Sequence, residues 1–229
     1  MKIERIPGDG WLALLGGGEF SFGETEEADR AWLEHTAEGR VGFVPTASGS
    51  ADYGRHFAEY LGEAFDRRAE TVPIYRGRDT RRGKNLERLK SAAAIYLGGG
   101  VADRLLETLR ETPAAEALHE GFTSGVTVVA IAAGAQALGQ AARGLLGAEV
   151  LAGLGWLPGG AVETNFDPAH DRRLRRLMEL PGVRWGLGLP SGSAVLLGPG
   201  GEVEVVGLVF GLDDAEGDLI TLGDQSDDS

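Results

Sequence analysis

Apolar residues along this chain fall into short unbroken runs, separated by longer stretches in which they recur every three or four positions. The runs at 11–18 (WLALLGGG), 40–48 (RVGFVPTAS), 69–75 (AETVPIY), 92–100 (AAAIYLGGG) and 126–131 (VTVVAI) read as strands. The stretches at 24–36, 51–65, 85–91, 101–110 and 113–122 read as helices; in the second, Tyr53, Phe57, Tyr60 and Leu61 share one side. Strands that are apolar at every position are buried on both faces. They predict an α/β three-layer sandwich, a central and mostly parallel sheet with helices on both faces. The pattern loosens over 142–161. A strand at 162–167, a helix at 169–179 and apolar runs at 183–189, 193–198 and 201–210 then predict an antiparallel C-terminal addition, with LGPGGE as a hairpin turn. One domain over 1–211 and an acidic tail over 212–229, frayed at its end, account for the whole chain.

Right-handed crossovers place the carboxyl ends of parallel strands along one edge, where open α/β sheets build their sites. Four unusual segments fall at such ends: the glycines at 16–18, PTAS at 45–48, the glycines at 98–100, and residues 130–134. A pocket is expected where they meet.

Composition changes this picture mainly by exclusion. The chain has 229 residues, enough for one well-buried α/β domain, and is 42% hydrophobic and 25% charged. Its net charge of −13 argues against nucleic acid, which requires a basic face. The clearest basic group, Arg172, Arg173, Arg175 and Arg176, lies close to Asp171 and Glu179. It reads as a solvated helix surface, with docking of an acidic ligand as the sharper alternative. The lack of cysteine excludes disulfides, thiolate nucleophiles and cysteine-based zinc sites. No run approaches the length of a membrane span, and the charged N-terminus is unlike a signal peptide, so a cytoplasmic protein is expected. GGGEFSFGE (16–24) lacks the spacing of a dinucleotide fingerprint, and Asp213, Asp214, Glu216 and Asp218 lack an EF-hand register; no cofactor and no metal are expected.

The chemistry centres on TVVAIAAGAQALG (127–139), a β-branched strand running through small residues into a helix. This is the shape of a nucleophile elbow, whose flanks must be small because strand and helix cross closely. Ala130 and Gly134 supply the small flanks, and Ala132 stands where the nucleophile would. The plainer reading is an alanine-rich helix start after a buried strand.

The rest of the chain favours the elbow. LLGGGE (14–19), VGFVPTAS (41–48), IYLGGGVADRLLETL (95–109), VTVVAIAAGA (126–135), VETNFD (162–167) with RRLRRL (172–177), and GLGLPSGSAVL (186–196) follow in order. Together they resemble the serine peptidase family that includes alpha-aspartyl dipeptidase and cyanophycinase, within the class I glutamine amidotransferase-like fold. The resemblance puts the family's serine at Ala132 and its Asp-x-His-Phe base at Asn165, within Glu163-Thr164-Asn165-Phe166. Val101 and Gly188-Leu189-Pro190-Ser191 replace further polar and acidic positions. Alanine cannot attack a carbonyl, and asparagine cannot take up a proton near neutral pH. The resemblance therefore implies a pseudo-hydrolase with a pocket at Gly99, Gly100, Ala132, Ala133, Asn165 and Ser191. Backbone donors there would meet a small carboxylate-bearing or peptide-like ligand. A homodimer is left open. The alternative is an active hydrolase with a relocated nucleophile, Ser191, Ser193 or Thr46, served by His170. His35, His56 and His119 read as ordinary helix residues.

Overall fold

The computed structural model describes residues 1–145 and 149–223. The first half alternates as the apolar pattern predicts: β1 (Leu12–Leu15), α1 (Glu26–Glu34), β2 (Val41–Val44), α2 (Ala51–Phe65), β3 (Ala69–Thr71), α3 (Gly83–Ser91), β4 (Ala94–Leu97), α4 (Ala102–Leu109), α5 (Pro113–Thr123), β5 (Thr127–Ile131) and α6 (Ala133–Leu138). The second half runs β6 (Ala141–Arg143), β7 (Val150–Ala152), β8 (Gly160–Thr164), α7 (Arg172–Met178), β9 (Trp185–Leu189), β10 (Ala194–Leu197), β11 (Val203–Val206), β12 (Val209–Leu212) and β13 (Ile220–Leu222).

The main sheet has seven strands in the order β11-β10-β1-β5-β4-β2-β3. Its β1-β5-β4-β2-β3 portion is parallel throughout, and β10 and β11 join antiparallel at the β1 edge. Successive side chains on a strand point to opposite faces, and here both faces are dry. Leu12, Leu14, Ile95, Leu97, Val128 and Ala130 enter one core, while Ala13, Leu15, Ala94, Tyr96, Val129 and Ile131 enter the other. Alpha helices α1 and α2 cover the second of these, through Trp32, Phe57 and Leu61. The first is covered by α3 to α6 and by apolar residues of a second sheet, including Val162, Leu187 and Leu189.

That second sheet is the main departure from expectation. It has six strands, β13-β12-β9-β8-β6-β7, so the run at 183–189 and the run at 193–198 belong to different sheets. The loosened region 142–161 holds β7 and the end of β6, each only three residues long, and residues 146–148 lie outside the described residues. The stretch expected as tail from 212 contributes β13, paired with β12 through Val209↔Leu222; residues 224–229 lie outside the described residues. Helix α7 packs on this sheet through Leu174 and Met178, against Phe166, Phe210 and Leu212. No helix among the described residues is long and apolar enough to cross a membrane.

One carboxylate is buried within the α1–α2 layer. Thr25 Oγ1 and Tyr60 Oη donate to Asp29 Oδ2 at 2.7 and 2.9 Å, and Trp32 Nε1 donates to Asp29 Oδ1 at 2.8 Å. Burial pushes the Asp29 carboxyl above its ordinary value, the three hydrogen bonds working the other way. An acid whose folded pKa is raised holds its proton more tightly in the folded state. Its contribution to stability is complete below the unfolded pKa and is lost as pH rises through the folded one. Asp29→Asn can keep all three contacts, because both hydroxyls can turn to accept from the amide. Denaturant titrations from pH 4 to pH 8 are expected to show wild type losing stability relative to Asp29→Asn as pH rises. Asp29→Ala, which strands three donors, should cost about 3 kcal/mol.

Candidate active site

The four segments at the carboxyl ends of β1, β2, β4 and β5 do meet. Gly98 N–H donates to Val44 O at 3.1 Å and Val101 N–H to Ala47 O at 2.9 Å, tying the β4 loop to the β2 loop. Ala132 N–H donates to Leu15 O at 3.0 Å, and Asn165 N–H donates to Gly16 O at 2.8 Å. The end of β1 therefore holds the elbow on one side and the end of β8 on the other.

Ala132 is the residue between β5 and α6, with φ 51° and ψ −117°. An L-residue other than glycine is rare in that region, and holding one there costs on the order of 1–3 kcal/mol. The turn is sharp because α6 starts almost against β4. A Cβ on Gly134 would lie 2.6 Å from the Leu97 carbonyl oxygen, and Gln136 N–H already closes the first helical bond to Ala132 O at 3.0 Å. Residue 132 thus occupies the apex of an elbow, not the middle of a helix.

Asn165 follows β8 with φ 48°. Its Oδ1 accepts from Ser191 Oγ at 2.8 Å. Gly17, with φ 132°, leaves room for this amide; a Cβ there would meet Asn165 Oδ1 at 2.4 Å. Gly100, Ala132, Ala133 and Asn165 line one cavity of about 160 Å³ with Val101, Asp103, Gln136, Arg143 and Thr164. Gly99 stands behind Ala132, 3.4 Å from its Cβ by the same measure. Burial pushes the Tyr53 phenol up to about 12, with the Gly99 backbone working the other way. Ser191 reaches Asn165 from an adjoining, larger groove beside Pro190, Phe166 and Phe210.

The residues of the relocated-nucleophile alternative each have other partners. Thr46 Oγ1 is fully buried and donates to Ile74 O at 2.6 Å; Ser193 Oγ donates to Pro190 O at 2.8 Å. His170 Nδ1 pairs with Asp167 Oδ2 at 2.6 Å on an exposed surface, and among the described residues no hydrogen bond joins His170 to Ser191, Ser193 or Thr46. His35 stacks on Trp11 with ring centroids 3.6 Å apart, and His119 sits edge-on to Trp156. The arginines of α7 divide: Arg175 is held by Asp171 and by the carbonyls of Ala215 and Gly217, while Arg172 and Arg173 face a groove shared with Asn165 and His170.

Four site residues escaped the sequence reading: Asp103, Gln136, Arg143 and Glu163. Gln136 Nε2 donates to Thr164 Oγ1 at 2.7 Å, which joins α6 to β8 beneath the cavity. Glu163 is buried, with Arg143 Nη2 3.5 Å from its Oε1. Burial pushes the Glu163 carboxyl above its ordinary value, opposed by the charges of Arg143 and Arg173. Glu163 could have been suspected from its place two residues before Asn165. The others carry no local signal.

A parallel sheet whose fifth strand ends in this elbow, with Asn165 delivered alongside from a second sheet, defines a peptidase-like α/β protein. Residues 12–197 match Peptidase family S51, and the chain belongs to that family. It is 30% identical over 112 residues to Peptidase E of Streptomyces coelicolor (strain ATCC BAA-471 / A3(2) / M145), a match spanning 46% of this chain and 44% of that protein. The matched part is thus less than half the length of that curated relative. Among solved structures, a peptidase from an acI-B1 Actinobacterium superposes with a TM-score of 0.76 at 22% identity, covering 96% of this chain and 97% of the other. A Listeria monocytogenes EGD-e protein assigned to peptidase E superposes with a TM-score of 0.63 at 17% identity, covering 86% and 98%. At those identities the structures speak for the fold.

Two substitutions test the elbow geometry by thermal or denaturant unfolding. Ala132→Gly relieves the unfavourable torsion and is expected to stabilise by about 1 kcal/mol, whereas glycine at a relaxed position destabilises by a similar amount. Gly134→Ala drives a methyl group into the Leu97 carbonyl and should cost about 2 kcal/mol.

Proposed function

We propose that this chain is a non-catalytic member of Peptidase family S51. In this reading it is a pseudo-hydrolase that binds a small carboxylate-bearing or peptide-like ligand at the strand ends. One observation carries the proposal: the apex of the elbow, the position from which a nucleophile would attack, is an alanine. Acyl transfer needs an attacking atom and a group to take its proton. Ala132 offers no such atom. Asn165, whose Oδ1 accepts from Ser191, is an amide with no basic lone pair to give. Ser191 itself has Asn165 as its partner instead of an imidazole, which speaks against its serving as the nucleophile.

The unfavourable φ at Ala132 is held by the bond to Leu15 O and by the crowding at Gly134, so the shape of the elbow is kept without a nucleophile. The Gly100 and Ala133 N–H groups flank that apex, and neither donates to a backbone acceptor among the described residues. Preorganised donors of this kind suit a carbonyl or carboxylate oxygen.

The wild-type protein should resist labelling by a fluorophosphonate probe and leave aspartyl dipeptides intact. Ala132→Ser alone should remain inactive, because Asn165 leaves the new hydroxyl without a base. Ala132→Ser with Asn165→His is the smallest change expected to produce measurable hydrolysis, read by release of free amino acid. Labelling of the wild type at Ser191, or turnover by the single variant, would overturn the proposal.

A further inference from the structure

Three buried side-chain polar atoms lack a hydrogen-bond partner among the described residues: Asp103 Oδ2, Arg143 Nε and Glu163 Oε2. They come from three elements, and two of the three residues line one cavity. Asp103 and Arg143 line the cavity beneath the elbow, and Glu163 lies behind Arg143, 3.5 Å from its Nη2. Buried polar groups in folded proteins nearly always find partners, because an orphan forfeits its hydration for nothing. The side chains of Asp103 and Arg143, each left with one unsatisfied atom, supply the charged groups of the cavity wall.

The charges say which guest. Asp103 and Arg143 face the same space, yet no ion pair joins them among the described residues. The Glu163 carboxyl, only 4% exposed, lies 3.5 Å from one side of the Arg143 guanidinium, whose side chain is itself 29% exposed. A ligand that satisfies both walls carries a carboxylate for Arg143 and an ammonium for Asp103. Size narrows the class. The cavity is small, about 160 Å³, which suits a small ligand.

We infer that the cavity beneath the elbow binds a single small α-amino acid as its zwitterion, carboxylate on Arg143 and ammonium on Asp103. This deepens the reading of the chain as a ligand-binding relative of a peptidase and rests on it. The larger groove holding Ser191 is then an approach to the cavity, not part of the binding contact. Glu163 acts as a positioning residue, fixing the guanidinium.

The full chain is titrated calorimetrically with glycine, L-alanine and L-serine, alongside acetate and methylamine as single-charge fragments and alanyl-alanine as the smallest dipeptide. Saturable one-to-one binding of the free amino acids is expected, with each fragment at least tenfold weaker. Asp103→Asn, which changes charge but not shape, and Arg143→Met should each weaken amino acid binding about tenfold or more (~1.4 kcal/mol). Arg143→Lys should retain part of it. Should Arg143→Met fail to fold, the isosteric Asp103→Asn and the fragment series decide the matter. Absence of saturable amino acid binding, or wild-type affinity in Asp103→Asn, would overturn the inference. Binding of alanyl-alanine without its free amino acid would overturn it too, yet leave the broader ligand-binding reading standing. Hydrolysis of alanyl-alanine would instead sink that broader reading.

Discussion

The site depends on the crossing of β5 into α6. The helix begins so close to β4 that only glycine fits at position 134, against the Leu97 carbonyl. The chain can make that approach only by turning through an unfavourable torsion at Ala132, which the bond from Ala132 N–H to Leu15 O holds in place. In an active hydrolase such a turn thrusts a nucleophile out over the sheet. Here it thrusts out a methyl group, and the geometry persists because the surrounding packing over-determines it. Both faces of the main sheet are sealed by separate cores, so the backbone at the rim has little freedom to relax.

The second sheet completes what the first begins. Its strand β8 runs up beside β1, delivering Asn165 to Gly16 and Gln136's partner Thr164 to α6. Its strand β6 ends in Arg143, so the guanidinium arrives at the cavity from a different layer than Ala132. Asp103 comes from the first turn of α4. Arg143 pairs with Glu163, while among the described residues no ion pair joins Asp103 to Arg143. A buried charge without a partner is costly unless a ligand or ordered water completes it.

Much of this was legible beforehand. The apolar runs place the five parallel strands and their helices because residues buried on both faces leave no polar positions, and α2 matches its predicted span, 51–65. The elbow was legible because small residues at 130, 132 and 134 answer a local steric demand. The second sheet was not. Strands of three residues such as Ala141–Arg143 carry too few positions to show a period, and Val150–Ala152 is only half-buried on an edge. The sequence likewise could not say that runs four residues apart, 185–189 and 194–197, enter different sheets, because strand pairing is a contest among partners that no local pattern records.

The amino-acid sequence by itself determined the alternation of strand and helix, the sharp turn at residue 132, and the alanine and asparagine that stand at 132 and 165. Each of these follows from what a side chain is and from the few residues around it. Tertiary structure alone decided that Asp103 and Arg143 line one cavity, that Glu163 pairs with Arg143, and that His170 bonds Asp167. Those outcomes depend on where distant segments come to rest. Packing sets that, through the summed contacts of two sheets, and no single stretch of the chain contains it.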